Sequence, residues 1–194
     1  MTTSNLRQYK QKLSSVARLW DDQQYDKALH EVESLIQAWP GNAHLHILWA
    51  SLVQLVESPR HQLDEAKLAL QQAMDLDKDS PAAAIEMGHF LDNVEDNPRA
   101  ASKHFADGVD AARKLLIDGL IGRAKALRQL DKREEFLRCL MELLHLTRFE
   151  SGPKKSSHED FGTDFLFEYV VRLKGPHAEQ IQELLGELAT SRTA

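Results

Sequence analysis

Gln24-Tyr25-Asp26-Lys27-Ala28-Leu29, continued by Val32, Leu35 and Ile36 and closed by Trp39-Pro40-Gly41-Asn42, is the stretch whose reading decides the fold. Its apolar residues recur at the three- and four-residue steps of one helical face, and Pro-Gly-Asn ends the helix. The same frame returns at Leu63-Asp64-Glu65-Ala66 with Leu70, Ala73 and Leu76, at Ala101 with Phe105 and Gly108, and at Phe136 with Leu140 and Leu143. The key positions 28, 66, 101 and 136 lie 38, 35 and 35 residues apart. A partner helix precedes each one, marked by Val16/Leu19, Ala50/Val53, Gly88/Leu91 and Ala124/Leu127. A helix pair of this length exposes an apolar face that only a neighbouring pair can cover, so the period predicts a stack with one continuous core.

The Tyr-Asp-x-Ala start, the spacing that follows it and the closing Pro resemble the second helix of a tetratricopeptide repeat. The small residues at 50, 88 and 124, each three before an apolar one, are similar to that family's first helix. The resemblance implies an all-α, right-handed superhelical solenoid of antiparallel helix pairs. We expect about ten helices: four pairs over residues 1–148, a loop over 149–163, and an incomplete fifth pair with a capping helix over 164–194. The predicted helices run 5–21, 25–38, 42–57, 61–76, 80–94, 98–112, 115–130 and 132–147. Asn42, Ser80 and Asn97 are expected N-caps, with Pro81 and Pro98 at the first helical position, where a missing N–H costs nothing. The longer 38-residue interval is taken up by Glu57-Ser58-Pro59-Arg60-His61, since loop entropy grows only slowly with length. Past the loop, Phe165, Leu166, Tyr169, Val170 and Leu173 form one stripe. After Gly175-Pro176, Ile181, Leu184, Leu185 and Leu188 form another.

Composition supports this class and excludes others. An apolar share of 42% suffices for a core, while nine Gly and six Pro in 194 residues suit a helical chain. A net charge of −6 speaks against a nucleic-acid binder that works by neutralising phosphates, and against a pentatricopeptide-like RNA reader. The start Met1-Thr2-Thr3 opens no apolar signal region and no run of 18 apolar residues appears, so we expect no membrane segment and a cytoplasmic location. Cys139 is the single cysteine and has no intramolecular partner, in keeping with a reducing compartment.

Residues that could carry chemistry have simpler structural explanations. His44 and His46 stand two apart on a predicted helix and point about 200° from one another, so they cannot share one metal ion. The remaining histidines, at 30, 61, 89, 104, 145, 158 and 177, fall in no ligand spacing. Gly119 and Gly122 sit inside a helical pattern without the Lys-Ser/Thr of a phosphate loop. Cys139 reads as a buried thiol, and Asp21-Asp22 and Glu134-Glu135 read as dipole partners at helix starts. We therefore expect no catalytic residue, no metal and no cofactor.

What the resemblance offers is a concave face, built from the first helix of each pair, on which such arrays hold a peptide or protein segment. Carried over residue by residue, that face is Lys10, Leu13 and Trp20 in pair one and His44, Ile47, Ser51 and Gln54 in pair two. Pair three contributes Ile85, His89, Asp92 and Asn93, and pair four Ile121, Lys125, Arg128 and Gln129. Chaperone-binding members clamp a peptide carboxylate with a Lys and an Asn, but Leu13 and Ala17 occupy those places, so the clamp is absent. Trp20 reads equally as an aromatic anchor for a ligand and as packing against the next turn. Lys125 and Arg128 suit an acidic partner or a solvated face. The expected function is that of an adaptor or scaffold that binds protein. The alternatives are homo-oligomerisation to a dimer through an uncapped solenoid end, and a ligand-binding protein or enzyme with a nonstandard pocket.

Overall fold

A computed structural model describes residues 3–56, 60–147 and 177–190. Among the described residues there are eight helices and no strand: α1 Thr3–Asp21, α2 Tyr25–Ala38, α3 Ala43–Val53, α4 Leu63–Leu76, α5 Pro81–Asn93, α6 Pro98–Gln129, α7 Arg133–Thr147 and α8 Ala178–Thr190. Against the expected count of about ten, eight helices lie among the described residues. The expected stripe of Phe165 to Leu173, and the loop before it, lie outside the described residues.

The main departure from the sequence reading is α6. Two helices, 98–112 and 115–130, were expected with a turn between them, but residues 98–129 form one helix of 32 residues. Local composition explains this. Every other break between pairs carries a stop signal, such as Pro40-Gly41-Asn42 or Ser80-Pro81, whereas Asp110-Ala111-Ala112-Arg113-Lys114-Leu115-Leu116 contains neither Gly, Pro nor a capping site that is used. The 35-residue arithmetic demanded a turn there, and the helix propensity of the segment overrode it. A smaller correction concerns Asp21 and Asp22: they close α1 rather than open a helix, whereas Glu134 and Glu135 do lie in the first turn of α7.

The chain divides into two compact units, residues 1–112 and 113–194. In the first unit consecutive helices pack as pairs, and α3 packs on α5 as well as on its partners α2 and α4. That is the arrangement in which the first helices of neighbouring pairs form one layer. The repeat positions occupy its core: Ala28 and Ala66 are fully buried, Ala101 is 1% exposed, and Ala50, Val53 and Leu91 are buried beside them. Small residues stand where helices approach most closely. A Cβ on Gly88 would lie 2.7 Å from the Phe105 ring, and one on Gly108 would lie 2.7 Å from Ile85 Cγ1 and 3.2 Å from the Pro81 carbonyl oxygen. The caps follow expectation: Asn42 accepts from the His44 N–H, Ser80 from Ala83 and Asn97 from Ala100.

In the second unit the core comprises Ile117, Leu120, Ile121, Ala124 and Leu127 of α6, Phe136, Cys139, Leu140, Leu143 and Leu144 of α7, and Ile181, Leu184 and Leu185 of α8. Ala124 and Phe136, the register positions of the fourth pair, are therefore both inside. So is Cys139, whose thiol donates to the Leu120 carbonyl at 3.3 Å. Burial pushes that thiol's pKa up, which suppresses the nucleophilic thiolate.

The turns inside pairs repeat a backbone feature that the side chains do not advertise. Gln23, Asp96 and Asp131 have φ of 58°, 49° and 55°, and each stands five residues before a register position, 28, 101 or 136. At two of them the hydrogen bonds are identical in pattern. Gln24 N–H bonds to Leu19 O and Gln23 N–H to Trp20 O, as Lys132 N–H bonds to Leu127 O and Asp131 N–H to Arg128 O. This is the Schellman end, whose left-handed position favours glycine. Glutamine there bears a steric cost of about 1 kcal/mol. Gln23→Gly should therefore raise stability by about 0.5–1 kcal/mol, read as a higher urea midpoint at unchanged slope, and Asp131→Gly by less, because Asp tolerates that region better.

Candidate functional site

The candidate face is best defined where residues of α1 and α3 line one cleft in the first unit. The cleft, of about 490 Å³, is walled by Leu13, Val16, Ala17 and Trp20 of α1 and by Leu48 of α3, with Ser14, Asp21 and His44 at its edges. Leu13 and Ala17 add to the apolar lining that Val16, Trp20 and Leu48 provide. Trp20 is half-buried, and its ring meets Tyr25 edge to face at 6.1 Å. The indole thus packs on the start of α2 and also lines the cleft. His44 is exposed, while its neighbour His46 is buried, 5% exposed, with Nε2 2.8 Å from the Pro40 carbonyl oxygen. The two rings do not converge, and among the described residues no group of three or more His, Cys, Asp or Glu is placed to hold a metal ion.

Along α1 toward its N-terminus, the surface continues into a shallow depression of about 510 Å³ formed by Leu6, Arg7, Lys10, Gln11 and Ser14. Ser14 belongs to both features. Arg7 and Lys10 therefore lie beside the cleft, on the turns of α1 that precede it, while Asp21 lines the cleft at the last residue of α1.

The other candidates of the first unit are placed along α3 and α5. Ser51 donates to the Ile47 carbonyl and lies 3.5 Å from a Glu86 carboxylate oxygen, and Gln54 donates back to the Ala50 carbonyl at 3.0 Å. Both are half-buried, with polar capacity partly spent inside the protein. His89 is exposed and rests edge-on against Phe105 at 5.0 Å, and Asp92 and Asn93 are exposed at the end of α5. Ile47 is buried and Ile85 half-buried, so they serve the core more than the surface. Lys125, Arg128 and Gln129 belong to the second unit, on the last turns of α6, where Lys125 is half-buried and the other two are exposed; Ile121 is core. The structure thus brings together Trp20 and His44, joins Lys10 to them through Ser14, and divides the remaining candidates between two units.

Sequence reasoning missed Leu48, Arg7 and Asp21. Leu48 was legible, because it lies one turn beyond His44 on the same face. Arg7 and Asp21 extend the Lys10, Leu13 and Ala17 stripe by one turn in each direction.

Fold and cleft together define the class: an all-α protein of stacked helix pairs whose first helices carry an open, partly apolar cleft. No helix among the described residues is long and apolar enough to cross a membrane. No protein-family model matches the chain, and no curated protein sequence is significantly similar to it. Among solved structures it is similar to the MamA RS-1 ArsTM double mutant, with 24% identity and a TM-score of 0.47 over 55% of this chain and 57% of that one. It is also similar to MamA 41-end from Desulfovibrio magneticus RS-1, with 22% identity and a TM-score of 0.46 over 57% of this chain and 70% of that one. The chain thus spans little more than half the length of the first of these.

Proposed function

We propose that the protein is a non-catalytic interaction module that holds a peptide segment of another protein along the first helices of its N-terminal unit. The observation that carries this reading is the α1–α3 cleft with its half-buried Trp20. An aromatic wall that is open to solvent on one side is the usual anchor of a peptide interface, where a few aromatic residues supply most of the affinity. The cleft is open to solvent, and its mostly apolar lining suits one bulky apolar side chain.

The neighbouring charges specify the rest. Ten residues of helix separate Lys10 from Trp20, which is about 15 Å, or roughly four to five residues of extended peptide. The preferred ligand is therefore a segment with a bulky apolar residue in the cleft and an acidic residue four or five positions away, facing Arg7 and Lys10. His44, Ser51, Gln54, His89, Asp92 and Asn93 would extend contact along α3 and α5. Lys125, Arg128 and Gln129 would act as a separate surface of the second unit.

Selection of a random peptide library on the full chain tests this reading. Enrichment of an apolar residue with an acidic one at that spacing is the expected outcome. Enrichment of basic peptides, or none above an unrelated helical protein, would refute it.

A further inference from the structure

The connection between α3 and α4, which is longer than the corresponding turns of the other pairs, delivers His61 into a position that the repeat itself does not provide. Its Nε2 lies 2.7 Å from Glu33 Oε1 on α2, and its Nδ1 lies 3.0 Å from Glu65 Oε2 on α4. Its ring meets Trp49 of α3 edge to face at 4.9 Å. Glu65 is used twice, since its other oxygen accepts from the Gln62 N–H and completes the capping box that starts α4. Glu33 is also approached by His30, one turn earlier on α2, at 3.8 Å. The charged and titratable groups facing His61 are therefore two carboxylates and, beyond Glu33, a second imidazole. Three helices and the loop converge on one ring.

Both ring nitrogens stand at hydrogen-bond distance from carboxylate oxygens. A neutral imidazole has one N–H and one lone pair, so it can satisfy one of these contacts and would set its lone pair against an anion at the other; only the imidazolium donates to both. We propose that His61 is a proton-operated clasp that fastens residues 60–62 and the start of α4 to α2 of the preceding pair, closed when the ring is doubly protonated and loosened to a single hydrogen bond when it is not.

The clasp has the access that a switch requires: the His61 side chain is 26% exposed, so it exchanges protons with solvent without unfolding of the domain. Burial by itself lowers the imidazole pKa. The hydrogen bonds to Glu65 and Glu33 and the charges of both carboxylates outweigh it, and the pKa is raised above the ordinary 6.5. The hydrogen bond to His61, with that to Gln62, lowers the Glu65 pKa below its ordinary 4.5. The signs give a window. The His61 contribution is complete below pH about 6.5 and is lost as pH rises through the raised folded-state value. The Glu65 side of the same bond is present above its unfolded value and is lost as pH falls through the lowered one. The clasp is thus tightest in mildly acidic solution and loosens as pH rises through the raised His61 value.

Nitrogen NMR of the imidazoles in the full chain, with His61 assigned by comparison with His61→Gln, provides the test. The midpoint of the His61 titration should lie above the ordinary 6.5, with both nitrogens protonated on its acid side, and Glu33→Gln and Glu65→Gln should each lower it. The difference in urea midpoint between wild type and His61→Gln should be largest near pH 6 and shrink by pH 9. A bare ring nitrogen at pH 6, or a difference in midpoint that is the same at pH 6 and pH 9, would overturn the proposal. Neither readout depends on any peptide being bound.

Discussion

Gly108→Leu is expected to destabilise the protein by about 3 kcal/mol, and Gly108→Ala by about 1–3, although alanine is the better helix former. An alanine Cβ at 108 would meet Ile85 at 2.7 Å and the backbone oxygen of Pro81 at 3.2 Å, and the carbonyl cannot move without unwinding the start of α5. The same helix contains its own control. Gly119 and Gly122 have no atom within 4 Å of an added Cβ, so their replacement by alanine should raise stability by about 0.5–1 kcal/mol each through backbone entropy alone. Urea unfolding of the three variants therefore separates packing from propensity by sign. Ala66→Leu and Ala101→Leu, at buried register positions, belong with Gly108 and should cost about 1–3 kcal/mol. If Gly108→Ala were as stabilising as Gly122→Ala, α5 and α6 would not cross where the structure places them.

The second large effect is expected on binding. Trp20→Ala should weaken a selected peptide by about 2 kcal/mol, or roughly thirty-fold, as the loss of an interface anchor does. Part of any effect could come from the lost contact with Tyr25, so Leu48→Asp serves as an independent variant on the opposite wall, where a carboxylate would be forced against the ligand's apolar side chain. Lys10→Glu should reduce affinity less and should flatten its salt dependence, because an exposed charge acts mainly through screened attraction. Equal affinity for wild type, Trp20→Ala and Leu48→Asp would remove the cleft from the account.

The sequence was informative wherever a side chain must meet a neighbour. Ala28, Ala66, Ala101 and Gly88 are small because helices touch there, and that need recurs at the period of the pairs. Asn42, Ser80 and Asn97 were equally legible, because a cap requires a particular oxygen at a particular place. The continuity of α6 was not, since a repeat count has no access to local propensity, and residues 110–116 offer no reason to stop. The left-handed turn positions escaped because Gln23, Asp96 and Asp131 are not glycines and carry no mark of their backbone conformation. His61 escaped because its role depends on Glu33, 28 residues away, and on a loop that departs from the repeat. Of the candidate face, the α1 stripe was readable from helical spacing, whereas the gathering of Trp20, His44 and Leu48 around one cleft depends on where α2 holds α1 and α3 in the fold.

The central claim, that binding belongs to the first-helix face of the N-terminal unit, is tested most directly by mapping a selected peptide on the full chain through backbone amide chemical shifts. The account predicts that the largest changes fall in residues 7–21 and 44–48, with the second helices α2 and α4 nearly silent. A cluster around Glu31 on α2 and Lys103 on α6, with residues 13–20 and 44–48 unmoved, would contradict it and place recognition on the opposite side of the helix pairs.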